Sequence, residues 1–332
     1  MPKKKKQVTI TDLAARTGYS IATVSRALNH KGSVGEIARE RIDQAVHELG
    51  YRLNHDTRPS VSTTIGVLIP NLANPFNSTV LDGISKSAEA HKLSVVLIIA
   101  SENQTSADYY FDLLKDMNLR GLIALSAFPD NITARKVNQE LPVVMCSEYL
   151  EQTDISYVGI DDRRAAYQAT KYLLSIGRTK LAMVNSTPNH KYAREREAGY
   201  KQAIRDANLQ CDEHSILHVH DINFSLALSK ITNLLEVKKD IDGVFNCSDV
   251  FAFATLEAAK RVGKKVPKDL SVIGFDNIFL STVVSPSLTT VKQPSYEIGY
   301  EACEILVEKM TRKNAPDRHE VLDTSLLLRD ST

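Results

Sequence analysis

From Ile65 to the end of the chain, short and continuously apolar runs alternate with amphipathic stretches of helical period. The apolar runs read IGVLIP (65–70), SVVLIIAS (94–101), GLIALS (121–126), PVVMCS (142–147), YVGI (157–160), KLAMVNS (180–186), ILHVH (216–220), GVFNCSD (243–249) and SVIGFDN (271–277). Helical runs between them include TVLDGISKSAEAH, ADYYFDLLKDM, RAAYQATKYLLSIG, EREAGYKQAIRDA, FSLALSKITNLLEV and VFAFATLEAAKRVG. A strand apolar at every position has both faces covered, which is the condition of a parallel sheet with helices on each side. Such sheets take ligands outside the carboxyl ends of their strands. The order of elements predicts two Rossmann-like lobes. The chain enters the second near IDDRRAAYQATKYL and returns at LTTVKQP (288–294), with SYEIGYEACEILVEKM as the last helix. The expected partition of the 65–332 body is about 65–161 with 292–325 in one lobe and about 162–291 in the other. A cleft between two lobes suits a small molecule, because closure buries it.

The segment before Ile65 has a different grammar. Thr9, with Asp12 three residues on, is spaced as a capping box opening a helix with Ile10, Leu13 and Ala14 on one face. Gly18 is placed to end it in the left-handed conformation. Ser20 can cap a second helix that buries Val24, Ala27 and Leu28. A third helix, opened by Gly35, carries Ala38, Ile42, Ala45, Val46 and Leu49 on one stripe. Three short helices, the first two joined by a tight turn, predict a helix-turn-helix over residues 1–52, with a linker over 53–64. The second helix leaves Ile21, Ala22, Thr23, Ser25 and Arg26 outward. These types suit a DNA groove: Arg pairs with guanine, apolar groups touch thymine methyls and hydroxyls hold phosphates. Helix periodicity by itself also permits a three-helix protein-interaction module.

Charge separates the two parts. Residues 1–60 hold 11 Lys and Arg against 6 Asp and Glu, a net +5, and the remainder is net −4. A basic head on an acidic body directs the head to a polyanion. The Lys3–Lys6 run precedes QVTITDLAARTG, which lacks the apolar core of a signal peptide. No stretch is long and apolar enough to span a membrane. Cys146, Cys211, Cys247 and Cys303 are scattered without a CxxC, as expected of reduced thiols in a cytoplasmic protein.

TITDLAARTGYSIATVSRALN followed by ELGY resembles the headpiece of the lactose-repressor/galactose-repressor (LacI/GalR) family of bacterial transcription regulators. The resemblance implies that Ile21, Ala22 and Arg26 read major-groove base edges, and that Ser20, Thr23, Ser25, Asn29 and Tyr51 lie near phosphates. IGVLIPNLANPF, VGIDDRRAAYQAT, EREAGYKQAI, VFNCSD and DLSVIGFDN are similar to the family's effector-binding core, which is periplasmic-binding-protein-like. It puts Phe76, Ser147, Arg196, Ser248 and Asp276 at strand ends lining the cleft, with Asn74 and Asp161 as further candidates. Phe76 would stack on a ring; Arg196 and Asp276 would hydrogen-bond hydroxyls or a charged group. Taken singly, Phe76 could be core and Asp276 a turn cap. MCSEYLEQ and VKQPSYEIGYEA look most like the nucleoside- and purine-responsive branch.

The linker LNHDTRPSVSTT occupies the place of the family's hinge, which forms a helix on the operator and wedges paired Leu side chains into the minor groove. Asn54 matches that pattern and Thr57-Arg58 stand for Ala-Arg. Ser60 falls on the wedge position beside Val61, and Pro59 opposes helix continuation. The expectation is that Arg58 contacts the minor groove or a phosphate, with weaker operator bending than in the family at large.

No Walker loop, GxGxxG after a strand, GxSxG or catalytic triad spacing is present. No cofactor or metal is implied: His218 and His220 share a strand face but lack a third ligand. The sequence predicts a repressor, not an enzyme, that binds a pseudo-palindromic operator as a homodimer and answers to a nucleoside, nucleobase or sugar. A solute-binding protein is the second reading and an enzyme on a two-lobed scaffold the third.

Overall fold

The computed structural model describes residues 8–28, 34–49, 51, 63–70, 72, 74–99, 107–126, 128–312 and 314–332. The chain divides into two compact units, Met1–Val61 and Ser62–Thr332.

In the first unit, α1 (Ile10–Thr17), α2 (Ile21–Leu28) and α3 (Glu36–Leu49) surround a small core of Leu13, Val24, Ala27, Leu28, Ile42 and Ala45. The capping box forms as read: the Thr9 N–H donates to Asp12 Oδ2 at 2.7 Å and the Asp12 N–H donates to Thr9 Oγ1 at 3.3 Å. Gly18 takes φ +76° and donates its N–H to the Ala14 carbonyl, ending α1. Its missing Cβ is what makes that conformation inexpensive.

The second unit runs β1 (Thr64–Ile69), α4 (Pro75–Ala90), β2 (Ser94–Ile99), α5 (Ala107–Leu114), β3 (Leu122–Ala124), α6 (Asn131–Glu140), β4 (Val143–Cys146) and β5 (Tyr157–Ile160). It continues with α7 (Asp162–Ser175), β6 (Leu181–Ser186), α8 (Lys191–Asp206), β7 (Ile216–Val219), α9 (Phe224–Val237), β8 (Gly243–Asn246), α10 (Asp249–Arg261), β9 (Ser271–Asp276) and β10 (Thr289–Lys292). It ends with α11 (Ser295–Thr311), β11 (His319–Leu322) and β12 (Ser325–Leu327). Two six-stranded sheets result, ordered β11-β5-β4-β3-β1-β2 and β12-β10-β9-β8-β6-β7. All pairings are parallel except that of β10 with β12.

Most of the continuous apolar runs are the buried centres of these sheets: β4, β6, β8 and β9 are buried at every residue. SVVLII instead forms the edge strand β2, whose residues are largely exposed. Helix pairs close over them at short range. A side-chain carbon added at Gly83 would strike the Tyr296 carbonyl, and one at Gly299 the Val80 carbonyl, so α4 and α11 meet where neither carries bulk.

The structure adds four helices and strands absent from the sequence reading: α6, β10, β11 and β12. It also changes the path of the chain. LTTVKQP begins with β10, a strand of the second lobe's sheet, before the chain returns. The tail after β11 then crosses back, and β12 pairs with β10. The Thr289 N–H donates to Ser331 Oγ at 2.9 Å and Ser331 Oγ donates to the Val272 carbonyl at 2.6 Å, which fixes the tail to the second lobe. Residues from 325 onward therefore lie in that lobe, and the lobes are joined by three crossings.

Candidate functional site

Both sheets share the same strand order, with the second strand outside the first and the rest on the other side. The order reverses between β1 and β3 in one sheet and between β6 and β8 in the other. Crevices at such reversals, outside the strand carboxyl ends, are where open α/β sheets hold ligands. A cleft of about 540 Å³ lies there. The first lobe supplies Asn74 and Phe76 after β1, Phe128 after β3, and Ser147, Glu148 and Tyr149 after β4. The second supplies His190, Lys191, Tyr192 and Arg196 from the start of α8, His220 after β7, Ser248 after β8 and Asp276 at the end of β9. Gln293 comes from the return crossing.

Phe76, Ser147, Arg196, Ser248, Asp276 and Asn74 thus converge on one cleft. Asn74 also caps α4, accepting the Phe76 N–H at 3.1 Å, and Pro75 opens that helix where no N–H is needed. Asp161 is not among the cleft residues. It caps α7, accepting the Arg164 N–H at 2.9 Å. Its neighbour Asp162 takes the interior position, 2% exposed, beneath the cleft. One helical step of about 100° separates an exposed cap from a buried anion.

Asp162 holds two cations. Its Oδ2 is 3.0 Å from Lys191 Nζ, and its Oδ1 accepts Arg196 Nε at 2.9 Å with Nη2 at 2.8 Å. Gly199 permits this, because a Cβ there would strike the Arg163 carbonyl and push α8 off α7. Arg196 Nη1 donates to the Cys247 carbonyl at 2.6 Å, and the guanidinium lies 3.5 Å from the Phe275 ring centre. Arg196 is therefore largely engaged within the protein. Burial draws its proton affinity down, but its anionic neighbours, Asp162 first and Asp276 next, together outweigh that and the net shift is upward.

Asp276 accepts Ser248 Oγ at 3.1 Å and Gln293 Nε2 at 2.7 Å, and lies 3.9 Å from Arg196. Burial raises its carboxyl to about 6 against the opposing pull of Arg196. Asp276 and Ser147 hold φ of +114° and +68°, backbone that non-glycine residues rarely adopt. Such strain persists where surrounding contacts fix it and clusters at binding sites. Gln293, 4% exposed, has its amide nitrogen on Asp276 while its Oε1 meets no donor among the described residues.

Glu148 spans the lobes. Its carboxylate, carried after β4, accepts the backbone N–H groups of Lys191 and, at 3.3 Å, Tyr192. These are the first amides of α8, whose N-cap His190 stacks on Tyr192 and provides no side-chain cap. Burial raises the Glu148 carboxyl to about 7.

In the headpiece, Ile21, Ala22 and Arg26 are exposed on α2, with Ile21 at 49%, while Thr23 and Ser25 are half-buried. Ser20 accepts the Thr23 N–H at 3.2 Å, so it caps the helix. Tyr51 packs against the headpiece core. Asn29, Arg58, the Lys3–Lys6 run and the linker's Pro59, Ser60 and Val61 lie outside the described residues.

His218 bonds Glu197 at 2.8 Å in the second lobe, while His220 reaches the cleft. Among the described residues no group of three metal-ligating side chains assembles, and no helix is long and apolar enough to cross a membrane.

Sequence reasoning missed Asp162, Glu148, Lys191, Tyr192 and Gln293. A usable signal was present for Glu148 and Gln293: each is polar and follows closely on an apolar strand, where cleft residues are found.

Residues 9–54 match the family of bacterial regulatory proteins, lacI family, and residues 170–332 match a periplasmic binding protein-like domain. The HTH-type transcriptional repressor CytR of Escherichia coli (strain K12) is 32% identical over 99% of this chain and 98% of its own. The ribose operon repressor of Halalkalibacterium halodurans is 31% identical over 98% and 97%. Among solved structures, the transcriptional regulator CelR–cellobiose complex aligns with TM-score 0.74 at 26% identity, covering 98% of this chain and all of that one. These relatives are transcriptional regulators, not enzymes. Headpiece, two-lobed body and full-length similarity agree: the chain belongs to the LacI family of bacterial regulatory proteins.

Proposed function

We propose that this transcriptional regulator is a homodimeric repressor whose operator affinity is set by an uncharged, hydroxyl-bearing effector, a nucleoside or sugar, held between the lobes. The observation that carries the reading is the Asp276–Gln293 pair. A buried carboxylate and a buried amide Oε1 that meets no donor among the described residues face one cleft, and both call for O–H or N–H donors. An unsatisfied buried acceptor costs about 1–3 kcal/mol, which a ligand donor would recover. Phe76 would stack on a ring, with Asn74, Ser147 and Ser248 adding polar contacts. Arg196 would act chiefly by holding the strand ends. Asp161, as a helix cap, has no direct part.

On the headpiece, Arg26, Ile21 and Ala22 would read bases, with Ser20, Thr23, Ser25, Asn29, Tyr51 and Arg58 near phosphates or the minor groove. One eight-residue recognition helix reads few bases, so a two-fold arrangement supplies specificity. Support for the dimer comes from apolar side chains on each lobe: Val96, Leu97 and Ile99 on the edge strand β2, and Phe279, Leu280 and Val283 after β9, with Phe279 at 79% exposed. A second copy would cover such an apolar edge.

The test is a thermal-shift screen of nucleosides, nucleobases and sugars, since a ligand selective for the folded state raises Tm by mass action. A stabilising ligand whose effect is lost in both Phe76→Ala and Asp276→Ala supports the reading. No response to any compound, or full retention in both variants, refutes it.

A further inference from the structure

We infer that Glu148 is a specificity-determining residue: a carboxylate from one lobe occupies the anion-binding end of α8 in the other and so excludes phosphorylated or carboxylated effectors from the cleft. The inference rests on the cleft being the effector site. A helix N-terminus presents unpaired N–H groups and partial positive charge, and is a ready place for a ligand's anionic group. α8 is sixteen residues long and its first turn lines the cleft. Here the amides of Lys191 and Tyr192 already have an anion, the Glu148 carboxylate, which is 6% exposed.

The two buried cations are already engaged within the protein, and Arg194, which also lines the cleft, gives its Nη1 to the Pro188 and Asn189 carbonyls. Lys191 Nζ is 3.0 Å from Asp162 and 4.0 Å from the centre of the Tyr149 ring. Arg196 is divided between Asp162 and the Cys247 carbonyl. The buried charges at the base of the cleft are therefore Lys191 and Arg196 against Asp162, Asp276 and Glu148, an excess of one negative charge when all are ionised. The raised proton affinities of Glu148 and Asp276 are the response of two carboxyls to burial, with Asp162 as a further anion near each. A phosphate entering this space would meet a carboxylate at the α8 N-terminus, while the α4 and α10 N-termini that also reach the cleft are capped by Asn74 and Ser248. It would find the buried cations already engaged. A hydroxyl would meet acceptors.

The experiment is calorimetric titration of the full-length protein with ribose and ribose 5-phosphate, adenosine and adenosine 5′-monophosphate, and inorganic phosphate alone. Wild type is expected to bind each phosphorylated probe at least about ten-fold more weakly than its uncharged counterpart, a gap of about 1.4 kcal/mol, and to ignore phosphate. Glu148→Ala is expected to narrow the gap about ten-fold and to take up phosphate. Glu148→Gln, which keeps the volume and one acceptor, repeats the measurement should the Ala variant not fold. Equal wild-type affinity for both members of a pair, or an unchanged gap in the folded variants, overturns the inference. If no organic probe binds wild type or variants, the nucleoside-or-sugar reading fails separately; phosphate uptake by the variants but not by wild type would still support exclusion, and its absence would refute it.

Discussion

Asp161 and Asp162 are chemically identical neighbours, and the structure assigns them energetically distinct roles. Asp162→Ala would leave Lys191 and Arg196, 6% and 5% exposed, without their shared anion. At an effective dielectric near 20, each contact of about 3 Å is an attraction of about 5 kcal/mol before desolvation is counted. Removing one partner of a buried pair costs about 3–5 kcal/mol, because the remaining charge stays buried and uncompensated. Asp161→Ala removes only a helix cap, a loss of about 1 kcal/mol. Urea unfolding followed by far-ultraviolet circular dichroism would measure both, since the chain has no tryptophan to report by fluorescence. The expected order is a loss from Asp162→Ala several times that from Asp161→Ala. Replacing the three ions together (Asp162→Leu, Lys191→Met, Arg196→Met) should recover much of the loss, since an apolar cluster of similar volume carries no desolvation cost. Equal losses from the two aspartates would refute the buried-network argument.

Glu148 titrates at about 7 in the folded body against an ordinary 4.5. The folded state thus holds a proton that the unfolded chain has released, and stability falls as pH rises from about 4.5 to 7, by up to about 3 kcal/mol. Glu148→Gln should flatten that slope in urea unfolding at pH 5, 6 and 7; a pH-independent difference from wild type would contradict it. Gly199→Ala should cost about 1–3 kcal/mol by forcing α8 from α7, measured by the same unfolding; a neutral effect would mean the helices yield. Phe279→Asp with Val283→Asp should shift the protein toward monomer in sedimentation at unchanged secondary structure, while an intact dimer would place the interface elsewhere.

The central strands of this fold were legible because parallel packing buries every residue of runs such as β4, β6, β8 and β9. The edge strand β2 was legible because its run is equally apolar although largely exposed. The elements that were not legible lack such a run. α6, NITARKVNQE, buries only Thr133, Ala134 and Val137, too little apolar surface for its period to stand out. β11 and β12 lie at sheet edges and are buried at no residue, so their sequences look like tail. Local chemistry was equally readable in the headpiece, where Thr9, Asp12 and Gly18 act on neighbours within one turn. The cleft was half legible. The family resemblance put Ser147, Ser248 and Asp276 at strand ends, positions that each depend on one strand alone. Glu148 on the α8 amides, or Lys191 on Asp162, pairs residues 43 and 29 positions apart, a relation set by how elements pack rather than by local sequence.

The central claim is that a ligand between the lobes governs a sequence-reading headpiece. The most direct measurement is binding-site selection from random duplex DNA with the full-length protein, repeated for Arg26→Ala and across the nucleoside and sugar panel. An inverted-repeat consensus for wild type, lost preference in Arg26→Ala, and altered retention with at least one uncharged compound are the predicted results. Wild-type binding without sequence preference and without response to any compound would contradict the account.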